Sequence, residues 1–175
     1  MNSIIEAMKN RRSVRKFRPD MPERKVIDEI IEAGLYAASG RNFQGVRIIA
    51  VTDRAKRDEI SEMNRKIGGW DEGFDPFYGA PAMLIVLADK SRTTYLYDGS
   101  LVMGNLMLAA HSLGLGSCWI HRAKEEFETE QGRKIISSLG FEGEWEGIGH
   151  CALGYPEGEL PGTPERKADR VFYID

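Results

Sequence analysis

Ala82-Met83-Leu84-Ile85-Val86-Leu87-Ala88, residues 82–88, is the longest unbroken apolar run in the chain. Side chains of a strand point alternately to the two faces of a sheet, so a strand with one wet face alternates apolar and polar. This run has no polar position. Both of its faces must therefore be covered, and it reads as a central strand between two layers. It is far too short to cross a bilayer, which takes ~18 or more apolar residues in a row.

Working outward, Leu101–Leu113 is apolar almost all round, the mark of a helix buried on several sides; in a small chain a subunit interface is a natural place for it. Ser117–Ile120 and Ile148–Leu153 read as further strands, with a helix from about Glu130 to Leu139 between them. Upstream, Val46–Val51 is a β-rich run after Gly45, Arg54–Lys66 a charged surface helix, and Gly68–Gly79 a loop with four glycines and one proline. Val26, Ile27, Ile30, Ile31 and Leu35 recur at helical spacing behind Pro22, which suits a first helical position. Ser3 and Glu6 fit a capping box for a first helix with Ile4, Ile5 and Met8 on its apolar face. The last residues, Val171-Phe172-Tyr173-Ile174, are β-prone and follow a Pro/Gly connector, so this tail suits pairing elsewhere, including with another chain. Helices and strands mix without a clean series of βαβ units: the fold class is α+β. One domain over 1–175 accounts for the length, with a tail at about 164–175.

The 175 residues carry 24 Lys+Arg against 27 Asp+Glu, a net charge of −3, and 42% are hydrophobic. Disorder is excluded by the apolar content. No overall field calls for nucleic acid or an acidic membrane. The opening residues lack the basic region and apolar core of a signal peptide, so a cytoplasmic location with reduced thiols is expected. Cys118, His121, His150 and Cys151 are a two-Cys, two-His set, but strand neighbours diverge to opposite faces, so no metal site is assigned.

Four features carry chemistry. Arg11-Arg12-Ser13-Val14-Arg15-Lys16-Phe17-Arg18 holds five cations in eight positions. Guanidinium forks and a hydroxyl hold phosphate through charge-assisted bonds; a solvated basic face and nucleic-acid contact are the alternatives. Ala37-Ala38-Ser39-Gly40-Arg41-Asn42-Phe43-Gln44-Gly45, between a helix and a strand, is either an ordinary turn or a polar loop that reads the edge of a heterocycle. Leu113-Gly114-Leu115-Gly116-Ser117-Cys118-Trp119-Ile120-His121 is either a helix end running into a core strand or a place where backbone approaches a flat ligand. Arg166-Lys167 is a cation pair near the C-terminus.

Taken together, in this order and over nearly the whole chain, these features resemble the FMN-dependent nitroreductase family. The most specific piece is Arg11, Arg12, Ser13, Arg15 and Phe17; then come Ser39, Asn42 and Gln44, then Asp98-Gly99 leading to Leu115–Ile120, then Arg166-Lys167. Gly45-Val46 stand where relatives carry Pro-Trp, and His121 where they carry Gly or Glu, which leaves acceptor preference open.

The resemblance implies a mostly antiparallel sheet flanked by helices, in an intertwined homodimer with FMN at its interface. Arg11 and Ser13, with Arg166 or Lys167, would hold the phosphate and Arg12 would lie near it. Arg15 would approach the ring edge where negative charge gathers on reduction. Ser39, Asn42 and Gln44 would come from the other subunit, Asn64 would add a ring contact, and the backbone at Ile120 and His121 would face N5, with the His121 side chain bordering the acceptor pocket. It implies a ping-pong oxidoreductase passing reducing equivalents from NAD(P)H to a nitroaromatic, quinone or similar acceptor, with no catalytic side chain because the cofactor does the chemistry. A non-catalytic FMN store or sensor is the rival, since the same cations would serve it.

Overall fold

The computed structural model describes residues 2–174; residues 1 and 175, the outermost positions of the expected domain and tail, lie outside it. The apolar run becomes β2 (Ala82–Asp89) in a sheet ordered β1 (Val46–Val51), β2, β4 (Trp145–Gly154), β3 (Gly116–Ile120), with every neighbouring pair antiparallel. Met83, Ile85 and Leu87 enter one core beside Ile60, Phe77, Ile120 and Phe127. Leu84, Val86 and Ala88 enter the other, beside Ile27, Ile30, Val102 and Leu106. None of these β2 side chains is exposed at all, which is why the run has no polar position.

One helical layer is α2 (Arg24–Leu35) with α4 (Tyr95–Ser112). The other is α3 (Arg54–Gly68), α5 (Ala123–Glu128) and α6 (Glu130–Ser138). In β4 the register with β2 shifts between Val86 and Leu87. Gly147, beside that bulge, lies so close to the start of α5 that a Cβ there would stand 2.3 Å from the Ala123 backbone. The bulge therefore seats α5 directly on the sheet.

Several sequence expectations need correcting. The first helix, α1 (Ser3–Asn10), is capped by Asn2, whose Oδ1 accepts from the N–H of Ile4 at 2.9 Å. Asn caps as well as Ser does, and with Asn2 as cap Glu6 falls one position too late for the box. The α1 face of Ile4, Ile5 and Met8 is exposed, not packed on the chain's own core. Pro22 precedes α2 by two residues. The charged α3 hides a buried stripe of Arg57, Ile60, Ser61, Met63 and Asn64. α5 has six residues and too little pattern to be read in advance. Val171–Ile174 is exposed and forms no strand with its own chain, so its expected pairing falls to another chain.

The loop between α3 and β2 is organised by Asp75. Its Oδ1 accepts from Ser61 Oγ at 2.7 Å and the Phe77 N–H at 3.0 Å, its Oδ2 from the Gly79 N–H at 2.7 Å, and it pairs with the buried Arg57 guanidinium. Burial pushes its pKa up, but the bonds from Arg57, Ser61 and Phe77 outweigh this and hold it below the usual carboxylate range. Asp75→Ala should cost about 2–3 kcal/mol of stability at neutral pH, partial exposure keeping it below a fully buried pair. Because the folded pKa is depressed, this stabilisation is present above the unfolded value of ~3.9 and is lost as pH falls through the folded one. Urea midpoints measured from pH 5 down to pH 2 should fall more steeply for the parent than for the variant; equal slopes would refute the assignment.

Candidate functional site

The cationic run 11–18 lies along the free edge of β3. Ser13 bridges Ser117, the Val14 N–H donates to the Ser117 carbonyl at 2.9 Å, and Phe17 bridges Pro156. Val14 and Phe17 are buried in the core, so the residues between them are turned outward. That sorts the five cations. Lys16 pairs with Glu157 and Arg18 with Asp20, both on the surface. Arg12 is spent on structure: Nη1 donates to the carbonyls of Lys9 and Arg11 at 2.7 Å, and the guanidinium also bonds the Gly162 carbonyl and Thr163 Oγ1. It closes the end of α1 and pins the C-terminal segment. Arg11 and Arg15 have no carboxylate partner among the described residues, and Arg11 Nη1 and Ser117 Oγ are buried without a hydrogen bond. Unsatisfied buried donors are rare and need an explanation.

Arg166 and Lys167 are exposed and follow the Arg12 anchor at Thr163 by three and four residues. That is about 10–14 Å of extended chain, within reach of Arg11. A 140 Å³ cavity lined by Arg12, His111, Ser117 and Leu160 lies beside this edge. Burial, with Arg11 and Arg12 nearby, pulls the His111 pKa down.

The second expected segment sits elsewhere. Ser39 Oγ accepts from the Gln44 N–H at 3.0 Å, and Gln44 Nε2 donates to Asn42 Oδ1 at 2.9 Å. Arg41, Asn42 and Gln44 all have positive φ, near +54°, a conformation that costs non-glycine residues energy and gathers at functional loops. Asp98 holds this loop on the start of α4, accepting from the Gly40 N–H at 3.0 Å and from Thr94 Oγ1 at 3.1 Å. The cationic edge lies by His111, near the other end of α4. Thirteen residues of helix separate Asp98 from His111, or about 20 Å at 1.5 Å per residue. Within one chain, then, the two halves of the expected site do not meet.

The end of β3 is the third part. His121 is exposed, directly after Ile120, and Arg122 takes a left-handed conformation (φ 77°) with its guanidinium 4.3 Å over the Trp70 ring. Beneath lies a buried cluster that sequence reasoning missed. His150 Nε2 stands 2.8 Å from Glu126 Oε2, and both side chains are fully buried. His150 Nδ1 is 3.3 Å from the Ile120 carbonyl. Asn64, also fully buried, donates from Nδ2 to the His121 carbonyl at 2.9 Å and to Glu126 Oε1. The available signal was His150 itself, a polar residue amid Ile148, Gly149, Cys151 and Ala152, which must find a partner. Asn64 shares a face with Ile60, one turn earlier, and so was legible as buried.

Neither cysteine is a nucleophile. Burial raises the Cys118 thiol pKa against the pull of Arg15, and burial raises Cys151 to about 12, so both stay protonated and inert at neutral pH. The arrangement can hold an anion and a flat ligand's edge; it presents no acid–base pair for hydrolysis.

An antiparallel sheet between two helical layers, with unpaired cations laid against its edge strand, is a nitroreductase-like α+β fold. A nitroreductase from Bacteroides fragilis, solved with bound FMN, matches it with a TM-score of 0.92 and 28% identity over 100% of both chains. The chain belongs to the nitroreductase family, whose model matches residues 8–155. A Methanothermobacter thermautotrophicus protein provisionally named NADH dehydrogenase/NAD(P)H nitroreductase is 31% identical over 91% of this chain and 80% of its own length. The NADPH-flavin oxidoreductase of Vibrio harveyi is also 31% identical, over 69% of this chain; the chain spans 54% of that protein.

Proposed function

We propose that the protein is an FMN-dependent NAD(P)H oxidoreductase of the cytoplasm, acting as a homodimer whose sites each draw on both subunits. One observation carries the cofactor reading: Arg11 and Ser117 keep buried donors without partners on the edge where Arg15 also lacks a counter-charge. A phosphate-bearing ligand satisfies this donor set, and a bound FMN structure superposes along the whole chain. Arg11 and Ser13, with Arg166 or Lys167 folded back from the Thr163 anchor, hold the phosphate. Arg12 shapes that pocket by fixing the backbone on both sides of it. Arg15 lies toward the ring, where a cation favours the more negative, reduced state. Ser39, Asn42 and Gln44 contact the ligand of the partner subunit, because about 20 Å of α4 keeps them from their own. The chemistry comes from the cofactor, which when bound takes reducing equivalents from NAD(P)H and gives them to a small organic acceptor in a ping-pong cycle.

Purified protein should be yellow, release FMN on heating and bleach within seconds of mixing with NAD(P)H. Stable colour under NAD(P)H would leave a storage module instead. Arg11→Ala should weaken FMN binding by about 1.5–3 kcal/mol, the range for a hydrogen bond to a charged group. Arg15→Ala should mainly lower the flavin's reduction potential. Fluorescence titration and spectroelectrochemistry separate the two, and variants that both match the parent would reduce the run to a solvated face.

A further inference from the structure

We propose that Asn64, Glu126 and His150 form a buried latch that sets the direction of the backbone at residues 120–122 and thereby presents two amide donors at the site. A trans peptide is planar, with its C=O and N–H pointing opposite ways. Ile120 pairs with His150 in the β3–β4 ladder, so its carbonyl points to β4, where His150 Nδ1 also lies 3.3 Å from it, and the His121 N–H points the opposite way. Asn64 Nδ2 holds the His121 carbonyl at 2.9 Å, which does the same for the Arg122 N–H. No hydrogen bond from either amide is found among the described residues. The left-handed turn at Arg122 follows from the same constraint, since the chain must start α5 immediately after both carbonyls are pulled in.

The donors and acceptors that hold the two carbonyls follow from the latch's own atoms, with Asn64 Oδ1 left buried without a partner among the described residues. A carbonyl only accepts, so the proton of His150 facing Ile120 sits on Nδ1. Glu126 bridges the two arms, taking the Asn64 amide on Oε1 and facing His150 Nε2 with Oε2. All three side chains are fully buried, so none touches a ligand directly; each is a positioning residue. Two adjacent outward amides suit an electron-rich ring edge. The inference rests on the flavin reading, under which that edge is N5 of the isoalloxazine.

The test compares FMN with 5-deaza-FMN, in which a C–H replaces the acceptor nitrogen, by fluorescence titration of the stripped full chain. The parent should prefer FMN by about fivefold, the value of one hydrogen bond. In Asn64→Ala and Glu126→Ala the preference should fall to near unity. Glu126→Gln should retain it, because a glutamine oxygen still accepts from Asn64 and its nitrogen can donate to Nε2 of a neutral His150. A merely structural role would weaken both ligands together and leave the ratio unchanged; an unchanged ratio in Asn64→Ala overturns the latch even where Glu126→Ala does not fold. A parent that binds both ligands equally overturns amide donation alone. A parent that binds neither overturns the flavin reading on which the latch depends.

Discussion

His150→Leu is expected to lower the unfolding free energy by about 2–3 kcal/mol, the cost of leaving a fully buried polar atom without its hydrogen-bond partner. Glu126 has no exposed surface and its Oε2 faces only His150, so no water can replace the lost contact. Urea denaturation followed by circular dichroism measures the loss. Adding Glu126→Gln to His150→Leu replaces the orphaned carboxyl oxygen by an amide and should recover part of it. A single variant within 1 kcal/mol of the parent would mean that the contact between Glu126 and His150 contributes nothing to the fold.

Ending the chain after Thr163 should leave a folded monomer that has lost most of its flavin affinity. Residues 164–174 are exposed, while Arg12 still holds Gly162 and Thr163, so the core is untouched by the cut. What disappears is Val171 to Ile174, between 70% and 102% exposed, together with Arg166 and Lys167. Four large apolar or aromatic residues in a row are exposed only when something else is meant to cover them. In the proposed homodimer a second copy would supply the covering surface: α1 exposes Ile4, Ile5 and Met8, α4 exposes Leu96, Tyr97 and Leu101, and a groove of about 600 Å³ lined by Ile4, Ala33, Leu108 and Ala109 runs between these helices. Light scattering at micromolar concentration should give twice 19.7 kDa for the intact chain and one copy for the truncated one. A truncated chain that stays dimeric and yellow would assign the tail no part in assembly or binding.

Much of the fold was legible because its decisive signals are local. An unbroken apolar strand implies two covering layers, and the two cores divide its side chains by period 2. The apolar girth of α4 announced a helix buried on several sides; the structure covers Val102, Met103 and Leu106 with the chain itself and leaves Leu96, Tyr97 and Leu101 uncovered. The cationic run was legible as a set but not member by member. Which arginine is spent on carbonyls and which is free depends on where α1 ends and where residue 163 returns, and neither is a property of residues 11–18 alone. The Glu126–His150 pair was hidden for the same reason. Twenty-four residues separate its members; His150 alone was legible as a polar residue in a core strand, but nothing local pointed to Glu126 as its partner. Asn64, expected as a ring contact, lies buried under the backbone; its spacing from Ile60 gave its burial, but its partners, the His121 carbonyl and Glu126, come from later segments.

The strand order also governs when this molecule can fold. β2 pairs with β4 through partners such as Leu84 and Cys151, while β1 and β3 occupy the edges. The central seam thus joins residues 56 to 71 positions apart, from Asp89–Trp145 to Ala82–Leu153, and closing so long a loop precedes any reward from the contacts it makes. On a ribosome, β2 emerges with both faces apolar and only its hairpin-like partner β1 available. Its other edge stays open until β4 has been made. Acquisition of the native sheet is therefore a late event in synthesis. During that interval the exposed edge of β2 is the segment most in need of a chaperone.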